Sequence, residues 1–285
     1  MEWLDRFNKA LGYIDENLEN DISPEHLSQI ASCSVFHFNR MFSYIVGMPL
    51  SQYIRNRKMT VASFDLQTTD IKIIDIALKY GYESPTAFNR AFKSVHGIAP
   101  SKARKKGIQL TAFPPMSLTL HIKGEEKMNY KIESKDAFRV VGVSKHYEMN
   151  LEENFKEVPK FWQKTMITGK IPKILKLNDM EPKALLGVST CMNGKDFDYY
   201  IASASSLEKP SKFSEFTVPS CTWGIFECVG PLPNSIQDLQ KRIVTEWLPT
   251  SGYEYADAPD IEVYFEGDQK SADYVCEVWI PLVKK

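Results

Sequence analysis

The stretch "ASCSVFHFNRMFSYIVG", residues 31–47, recurs fifty residues later as "GYESPTAFNRAFKSVHG", residues 81–97. Aligning the copies superimposes a serine, a Phe-Asn-Arg triplet and a glycine: Ser34 on Ser84, Phe38–Arg40 on Phe88–Arg90, and Gly47 on Gly97. A self-match at a fixed period indicates a duplicated supersecondary unit. In each copy the pattern predicts a short amphipathic helix that starts at a serine cap and closes at a glycine. The chain is therefore expected to carry the same helical unit twice.

Apolar residues at helical spacing surround both copies and predict seven helices over residues 1–107. Ser23 is expected to cap the second helix, with Pro24 at its first position. A helix of roughly 17 residues, about 25 Å long at 1.5 Å per residue, joins the two units from Pro49 onward. The helical period ends in the basic, proline-containing segment 101–115. We therefore expect an all-α domain over 1–107, a linker over 108–127 and a second domain over 128–285.

The second half has a different pattern, rich in β-branched and aromatic residues. Five segments predict strands: 138–144, 184–190, 222–230, 260–266 and 274–282. Two helices are predicted among them, one over about 159–167 and one that begins at Ser235, with Asp238 at capping-box spacing. This order predicts an α+β domain built from two strand-strand-helix-strand-strand repeats.

Charge is unevenly distributed along the 285 residues, although the net charge is only -1. Residues 26–107 contain 12 Lys and Arg against 4 Asp and Glu, a net charge of +8, which leaves -9 for the rest. A basic segment that coincides with the repeat is the electrostatic footprint expected of a DNA-binding surface. A solvated basic helical face explains the charge alone equally well.

Composition favours a globular protein, with 43% hydrophobic and 25% charged residues. Five scattered cysteines form no CxxC pair, so we expect buried free thiols, no metal site and no cofactor: Cys33, Cys191, Cys221, Cys228 and Cys276. The acidic, amphipathic N-terminal segment is unlike a signal peptide, and no apolar run approaches 18 residues. The expected location is the cytoplasm, in association with the nucleoid.

The duplicated helices carry candidate DNA-reading residues. A recognition helix enters the major groove with the exposed residues of its N-terminal half against the bases. The outward set in the first unit is Phe36, His37, Asn39 and Arg40, and in the second it is Pro85, Thr86, Asn89, Arg90 and Lys93. Asparagine pairs with adenine, and arginine pairs with guanine or phosphate. A Phe36 folded onto the core and a merely solvated Asn39 remain alternatives.

Residues 5–106 resemble the DNA-binding domain of AraC/XylS-type transcription regulators. The resemblance is carried by "SPEHLSQIASCSVFHFNRMFSYIVGMPLSQYIRNRKM" and "IIDIALKYGYESPTAFNRAFKSVHGIAPSKAR". It implies two helix-turn-helix units on one face of promoter DNA, an asymmetric site and RNA polymerase as a further partner. Pro85 departs from the family pattern, which often has a polar group there.

Residues 128–283 resemble the gyrase-inhibitor-like, or multidrug-effector-binding, domain. The matching motifs are "VVGVS" (140–144), "VPKFW" (158–162), "EWLPTSGYEYADAPDIEVYF" (246–265) and "EVWIPL" (277–282). The resemblance implies a central apolar pocket with aromatic walls, in which a carboxylate meets a cationic drug.

Strand alternation identifies candidate ligand-binding residues. Glu277 shares a strand face with Trp279, and Glu262 shares one with Tyr264. A carboxylate beside an aromatic ring suits a desolvated organic cation. The pattern alone favours a solvated sheet face for both pairs. The resemblance instead favours a ligand-binding site, most clearly for Glu277 and Trp279. Trp223 and Tyr147 are weaker pocket candidates.

The expected function is a one-component transcription regulator that is not an enzyme and whose second domain binds a small hydrophobic, cationic effector. One alternative is a DNA-binder fused to a hydrolase or sequestering module that uses Tyr264 and Glu277. Another is a protein-interaction module without a ligand. His121 and His146 stand alone in the sequence, and no catalytic Ser-His-Asp order is present.

Overall fold

The computed structural model describes residues 2–105, 107–119, 127–148, 151–190 and 196–284. The chain forms two compact units. The first contains Met1–Ser32 and Val46–Leu120, and the second contains Cys33–Ile45 and His121–Lys285. Predictions from the sequence also concern Cys191 and His121, which lie outside the described residues.

Seven helices lie within the described part of residues 2–119, as the sequence predicts. They are α1 (Glu2–Glu16), α2 (Pro24–Ala31), α3 (Val35–Val46), α4 (Leu50–Thr68), α5 (Ile73–Lys79), α6 (Pro85–His96) and α7 (Pro100–Ala103). The Ser23 side chain accepts a hydrogen bond from His26 N, which confirms the predicted cap of α2. Gly47 and Gly97 both have φ of 73°, the left-handed conformation that closes a helix.

One apolar cluster of the first unit forms around α4, α5 and α6. Its largest buried side chains are aromatic: Tyr80, Phe88 and Phe92. Asp65 on α4 pairs with Lys79 at 2.9 Å and accepts a hydrogen bond from Tyr80 Oη at 2.8 Å. These contacts fix α5 against α4.

Part of the predicted linker packs as extended chain within the first unit. Asn8 Nδ2 donates to Leu118 O at 3.0 Å, and Leu118 N donates back to Asn8 Oδ1 at 2.8 Å. Phe113 N donates to Thr60 Oγ1 at 3.0 Å. Backbone polar groups of this segment are thus satisfied by side chains of α1 and α4.

The second unit contains a fully antiparallel nine-stranded sheet. Its strands are β1 (Tyr130–Lys135), β2 (Phe138–Glu148), β3 (Leu185–Ser189), β4 (Asp196–Ala204), β5 (Ser214–Val218), β6 (Cys221–Val229), β7 (Tyr253–Tyr255), β8 (Asp260–Tyr264) and β9 (Val275–Lys284). The order is β1-β6-β9-β8-β3-β4-β2-β5, with β7 paired to β9. The α-helices in its described part are α8 (Leu151–Ile167), α9 (Ile171–Leu175) and α10 (Asn234–Arg242). A π-helix (Ile243–Trp247) and a 3-10 helix (Leu248–Thr250) follow α10 directly.

Both faces of this sheet are buried. Leu186, Trp223 and Trp279 belong to one apolar cluster. Leu185 and Tyr199 belong to another. Leu185 and Leu186 are neighbours on β3, and successive side chains of a strand point to opposite faces. The two clusters therefore lie on opposite sides of the sheet.

The α+β character of this half agrees with the sequence prediction, but several details of the prediction are wrong. Strands β1, β4, β5 and β7 were not predicted, and α8 begins eight residues before Pro159, which lies inside it. The capping box does not form, because α10 begins before Ser235 and the Ser235 hydroxyl donates to the carbonyls of Gly230 and Pro231. None of the described helices is long and apolar enough to span a membrane.

Candidate functional site

A carboxylate held by three donors forms the centre of the candidate site. Glu262 on β8 accepts hydrogen bonds from Tyr199 Oη at 3.0 Å and from Tyr264 Oη at 2.9 Å. Its other oxygen accepts from Gln240 Nε2 at 2.9 Å. Burial and the Glu262 charge raise the pKa of both tyrosines well above the usual value. The two hydroxyls therefore stay protonated and fix the carboxylate as donors.

Aromatic rings surround this carboxylate. Trp162 on α8 donates from Nε1 to Tyr199 Oη at 3.0 Å. Its ring meets the Tyr264 ring edge to face, with 5.2 Å between centroids. Trp162, Tyr199 and Gln240 were not among the residues predicted for the site. The one sequence signal for any of them is the "VPKFW" motif, which contains Trp162.

Close approach of backbone to this cluster requires glycine at residue 187. Gly187 on β3 is paired with Glu262 on β8. A Cβ built there would lie 3.0 Å from Glu262 Oε2 and closer still to the Tyr199 hydroxyl. Any side chain at this position would displace the carboxylate or the tyrosine that holds it.

The cluster lines a cavity of about 430 Å³, which is in the size range of small-molecule sites. Much of its wall is apolar: Val158, Trp162, Met166, Phe197, Leu232 and Ile236. Among the described residues, the charged side chains that line it are Glu262 and Arg40. The cavity can therefore hold a hydrophobic molecule beside the Glu262 carboxylate, with the Arg40 guanidinium in the same wall.

Glu277 and Trp279 lie elsewhere. Trp279 Nε1 donates to Glu277 Oε2 at 2.7 Å, so the predicted pairing on one strand face is correct. In the β8–β9 register, however, Glu277 is opposite Val263, one residue from Glu262. The two glutamates consequently face opposite sides of the sheet. The structure does not place Glu277 or Trp279 in the wall of the cavity.

The weaker pocket candidates also lie outside the cavity wall. Trp223 is fully buried and packs on Trp279, with 6.0 Å between ring centroids. Tyr147 stacks on Phe197, with 5.4 Å between centroids, and so supports the wall from behind. The hydrolytic pair Tyr264 and Glu277 is not assembled, because these residues too point to opposite faces of the sheet.

The second recognition helix, α6, presents its predicted set in accessible positions. Ser84 caps it by accepting from Ala87 N at 3.1 Å. Asn89 is half-buried. The other four predicted DNA-reading side chains are exposed: Pro85, Thr86, Arg90 and Lys93. This helix has the geometry expected of a DNA-reading element.

The first recognition helix, α3, is different, because its predicted outward residues are buried. His37 is 1% exposed and Asn39 is 8% exposed. Phe36 lies in α3, but its side chain is outside the described part of the structure. The predicted outward orientation of His37, Asn39 and Arg40 is therefore wrong for this structure, whereas their role toward DNA remains a prediction.

Strands β7 and β8 and helix α10 hold these α3 side chains. Arg40 Nη1 lies 2.9 Å from Asp260 Oδ2, and Arg40 is 17% exposed. The His37 ring stacks on Tyr255, with 4.1 Å between centroids and 20° between planes. On the other side of Arg40, Tyr44 Oη donates to Gln240 Oε1. Three consecutive turns of α3 are thus anchored in the second unit.

The Arg40–Asp260 contact is an ion pair by distance. Neither Asp260 oxygen accepts a hydrogen bond from the described residues. Burial raises the pKa of Asp260, and the Arg40 charge opposes that rise. Burial acts to lower the pKa of Arg40, but Tyr44, Asp260 and other neighbours hold it well above the usual value. Arg40 is therefore charged in this buried position.

Two family models match the chain. The GyrI-like small molecule binding domain matches residues 128–283, more than half of the chain, and the helix-turn-helix domain matches residues 27–106. The chain is 42% identical over 97 residues to the HTH-type transcriptional activator AarP of Providencia stuartii, a match that covers 34% of this chain and 72% of AarP. The chain belongs to the AraC-type transcription regulators with a GyrI-like domain.

Further relatives agree with this assignment. The regulator is 37% identical over 102 residues to the multiple antibiotic resistance protein MarA of Escherichia coli, covering 36% of this chain and 80% of MarA. Its fold is similar to that of SAV2435 in the structure bound to tetraphenylphosphonium. That similarity has a TM-score of 0.51 and 23% identity, over 55% of this chain and 94% of SAV2435. At this identity it shows the fold alone.

These matches indicate a regulator and no enzymatic family. Within the described part of the chain, no group of three or more His, Cys, Asp or Glu side chains could hold a metal ion. His146, which stands alone in the sequence, meets Asp198 through Nδ1 at 2.9 Å on the sheet surface.

The regulator is expected to lose stability on acidification because of His37. Burial, aided by the Arg40 charge and opposed by Asp257, lowers the pKa of His37 to about 3. Between pH 3 and the ordinary value of about 6.5 the unfolded chain binds more protons, so the free energy of unfolding falls as pH falls. From pH 7.5 to 5.5 this contribution is about 1.4 kcal/mol.

Urea unfolding at the two pH values measures this effect, with His37→Gln as the comparison. His96 acts in the same direction, because burial lowers its pKa as well. The difference in pH dependence between the two chains therefore isolates His37. Equal losses of stability in wild type and variant would contradict the assignment.

Proposed function

We propose that this regulator binds a hydrophobic organic cation in the cavity around Glu262 and responds by changing the activity of a promoter. The observation that carries the proposal is the Glu262 carboxylate, fixed by two tyrosines and a glutamine in an aromatic cavity. An ionised carboxylate costs free energy in such a place unless a positive charge accompanies it. Arg40 lines the same cavity as Glu262 in this structure, and a cationic ligand can supply the positive charge in its place.

The surrounding rings favour the same class of ligand. Trp162, Tyr199 and Tyr264 offer aromatic surfaces, and the face of an aromatic ring attracts cations. A large, weakly hydrated organic cation gains both from this attraction and from burial of its apolar surface. A metal ion or a small, strongly hydrated ammonium ion would gain little from these rings.

On the DNA side, we propose that two helix-turn-helix units joined by α4 read an asymmetric promoter site. The proposed contacts in the first unit are Phe36, His37, Asn39 and Arg40, and in the second Pro85, Thr86, Asn89, Arg90 and Lys93. We also propose domain boundaries at 107 and 128, RNA polymerase as the partner and the nucleoid in the cytoplasm as the location. The accessible positions of Arg90 and Lys93 on α6 support this assignment.

The hydrolase alternative lacks support, since Tyr264 and Glu277 are on opposite faces of the sheet. An interaction module without ligand would have a closed or polar centre. The aromatic cavity around Glu262 instead favours a small-molecule site.

Titration with tetraphenylphosphonium, followed by tryptophan fluorescence, tests the proposed effector class. We expect saturable quenching, because Trp162 lies in the cavity wall. Trp162→Phe should remove much of the signal while calorimetry still detects binding. Triphenylphosphine oxide, a neutral aromatic probe, should bind more weakly. Equal affinity for the two probes, or no saturable binding of the cation, would contradict the proposal.

A further inference from the structure

Helix α3 and the effector cavity share residues. Arg40 and Tyr44, one turn apart on α3, both line the cavity that contains Glu262. Arg40 is also one of the residues of the first helix-turn-helix that are proposed to contact DNA. One side chain therefore has two uses that exclude each other, since it cannot lie at Asp260 and in a DNA groove together.

The strand that faces α3 carries two carboxylates on one side. Asp260 and Glu262 are two residues apart on β8, so their side chains point to the same face of the sheet. Asp260 is 3% exposed, and its oxygens accept no hydrogen bond from the described residues. Arg40 is the cation next to this acidic strand face. Its guanidinium thus stands where an organic cation would find the same charge compensation.

A hydrogen-bonded path also links the cavity carboxylate to α3. Tyr44 Oη donates to Gln240 Oε1, and Gln240 Nε2 donates to Glu262 Oε1 at 2.9 Å. A ligand that draws Glu262 toward itself changes the orientation of Gln240. Gln240 Oε1 then no longer points at the Tyr44 hydroxyl, and the hydrogen bond between them weakens. Helix α3 thus loses this contact together with the Arg40 contact.

We propose that Arg40 is an internal counter-cation of the effector site, and that an organic cation bound at Glu262 displaces it and releases α3 to DNA. This inference rests on the proposed function of the cavity. Two positive charges close together in a cavity with largely apolar walls repel one another more strongly than they would in water. The effector therefore binds better when α3 is released, and a ligand shifts an equilibrium toward the state that it prefers. By linkage, DNA must raise the affinity for the cation by the same factor.

The Arg40–Asp260 ion pair by itself opposes release of α3 only weakly. A buried ion pair adds little net stability, because desolvation of both charges offsets their attraction. When α3 leaves, Arg40 and Asp260 both regain water. Release therefore does not leave an uncompensated buried charge, which would otherwise oppose it.

The test measures affinity for a DNA duplex selected from a random library, with and without saturating tetraphenylphosphonium. We expect the cation to tighten DNA binding about 10-fold, a typical allosteric coupling. Backbone amides of residues 35–46 should exchange hydrogen faster when the cation is bound. Asp260→Asn should tighten DNA binding without the cation and reduce the further effect of the cation. Asp273→Asn, an exposed change of equal charge, is the matched control and should behave as wild type.

Each outcome decides the inference. A cation that binds but leaves DNA affinity unchanged or weaker overturns it, while the proposed function of the cavity stands. Tyr44→Phe removes the hydrogen bond to Gln240, the second anchor of α3. It replaces Asp260→Asn as the test if that variant does not fold, and it too should tighten DNA binding without the cation. If the cation does not bind, the proposed function fails. If Asp260→Asn and Tyr44→Phe both bind DNA as wild type does, the contacts of α3 with Asp260 and Gln240 do not limit DNA binding, and that part of the inference is rejected.

Discussion

Glu262→Gln is expected to weaken tetraphenylphosphonium binding at least about 30-fold, equivalent to about 2 kcal/mol. Glutamine keeps the size of the side chain, and its amide oxygen can still accept from Tyr199 and Tyr264, whereas its amide nitrogen cannot accept the present hydrogen bond from Gln240 Nε2. The change therefore removes the negative charge and keeps the volume of the side chain and its contacts with the two tyrosines. The cation then enters a site with largely apolar walls that no longer supplies the Glu262 counter-charge, and its desolvation is no longer offset. Calorimetry measures the two dissociation constants directly.

Glu277→Gln is the matched control, because it makes the same chemical change on the opposite face of the sheet. We expect its affinity for the cation to stay within about two-fold of wild type, since screening weakens more distant charges. The neutral probe triphenylphosphine oxide should bind both variants as it binds wild type. A larger loss in Glu277→Gln than in Glu262→Gln would move the site to the other face.

Local sequence signals predicted the elements whose structure is decided locally. Ser23 caps α2, and Gly47 and Gly97 close the duplicated helices, because caps and left-handed turns depend on residues within one turn of the helix. Strand alternation likewise predicted that Glu262 and Tyr264 share a face, and their side chains are hydrogen bonded.

Alternation could not decide which glutamate faces the cavity. It relates residues within one strand, whereas the face of each strand depends on register with its neighbour. A shift of one residue reverses the face of every side chain. The observed register places Val278, and not Glu277, opposite Glu262. Tyr199, which holds Glu262 from β4, is 63 residues distant in sequence, so no local pattern joins them.

The burial of α3 was also beyond local reasoning. His37 and Arg40 are polar residues on an amphipathic helix, and such residues ordinarily face solvent. Their partners Tyr255 and Asp260 lie more than 200 residues later in the chain. Conflict between a polar pattern and burial is typical of functional sites, where local preference yields to another requirement.

Arg90→Ala is expected to weaken binding to the selected DNA duplex by about 1–3 kcal/mol, or roughly 5- to 150-fold. Arg90 is exposed on α6, at the position that matches Arg40 in the repeat. Its removal loses a bidentate contact to guanine or a phosphate contact. Fluorescence anisotropy at several salt concentrations separates the two. Loss of a phosphate contact reduces the slope of log affinity against log salt concentration by about one. Loss of a base contact instead changes the DNA sequence that the protein prefers.

Lys173→Ala provides the charge control, because Lys173 is an exposed cation on α9 of the GyrI-like domain. It should bind DNA as wild type does, and wild-type affinity in Arg90→Ala would reject α6 as a reading helix. The response to the cation adds a further criterion. If Arg90 serves DNA alone, tetraphenylphosphonium should tighten DNA binding of Arg90→Ala by the same factor as in wild type. In Arg40→Ala that factor should fall toward one, because the side chain that the cation displaces is absent.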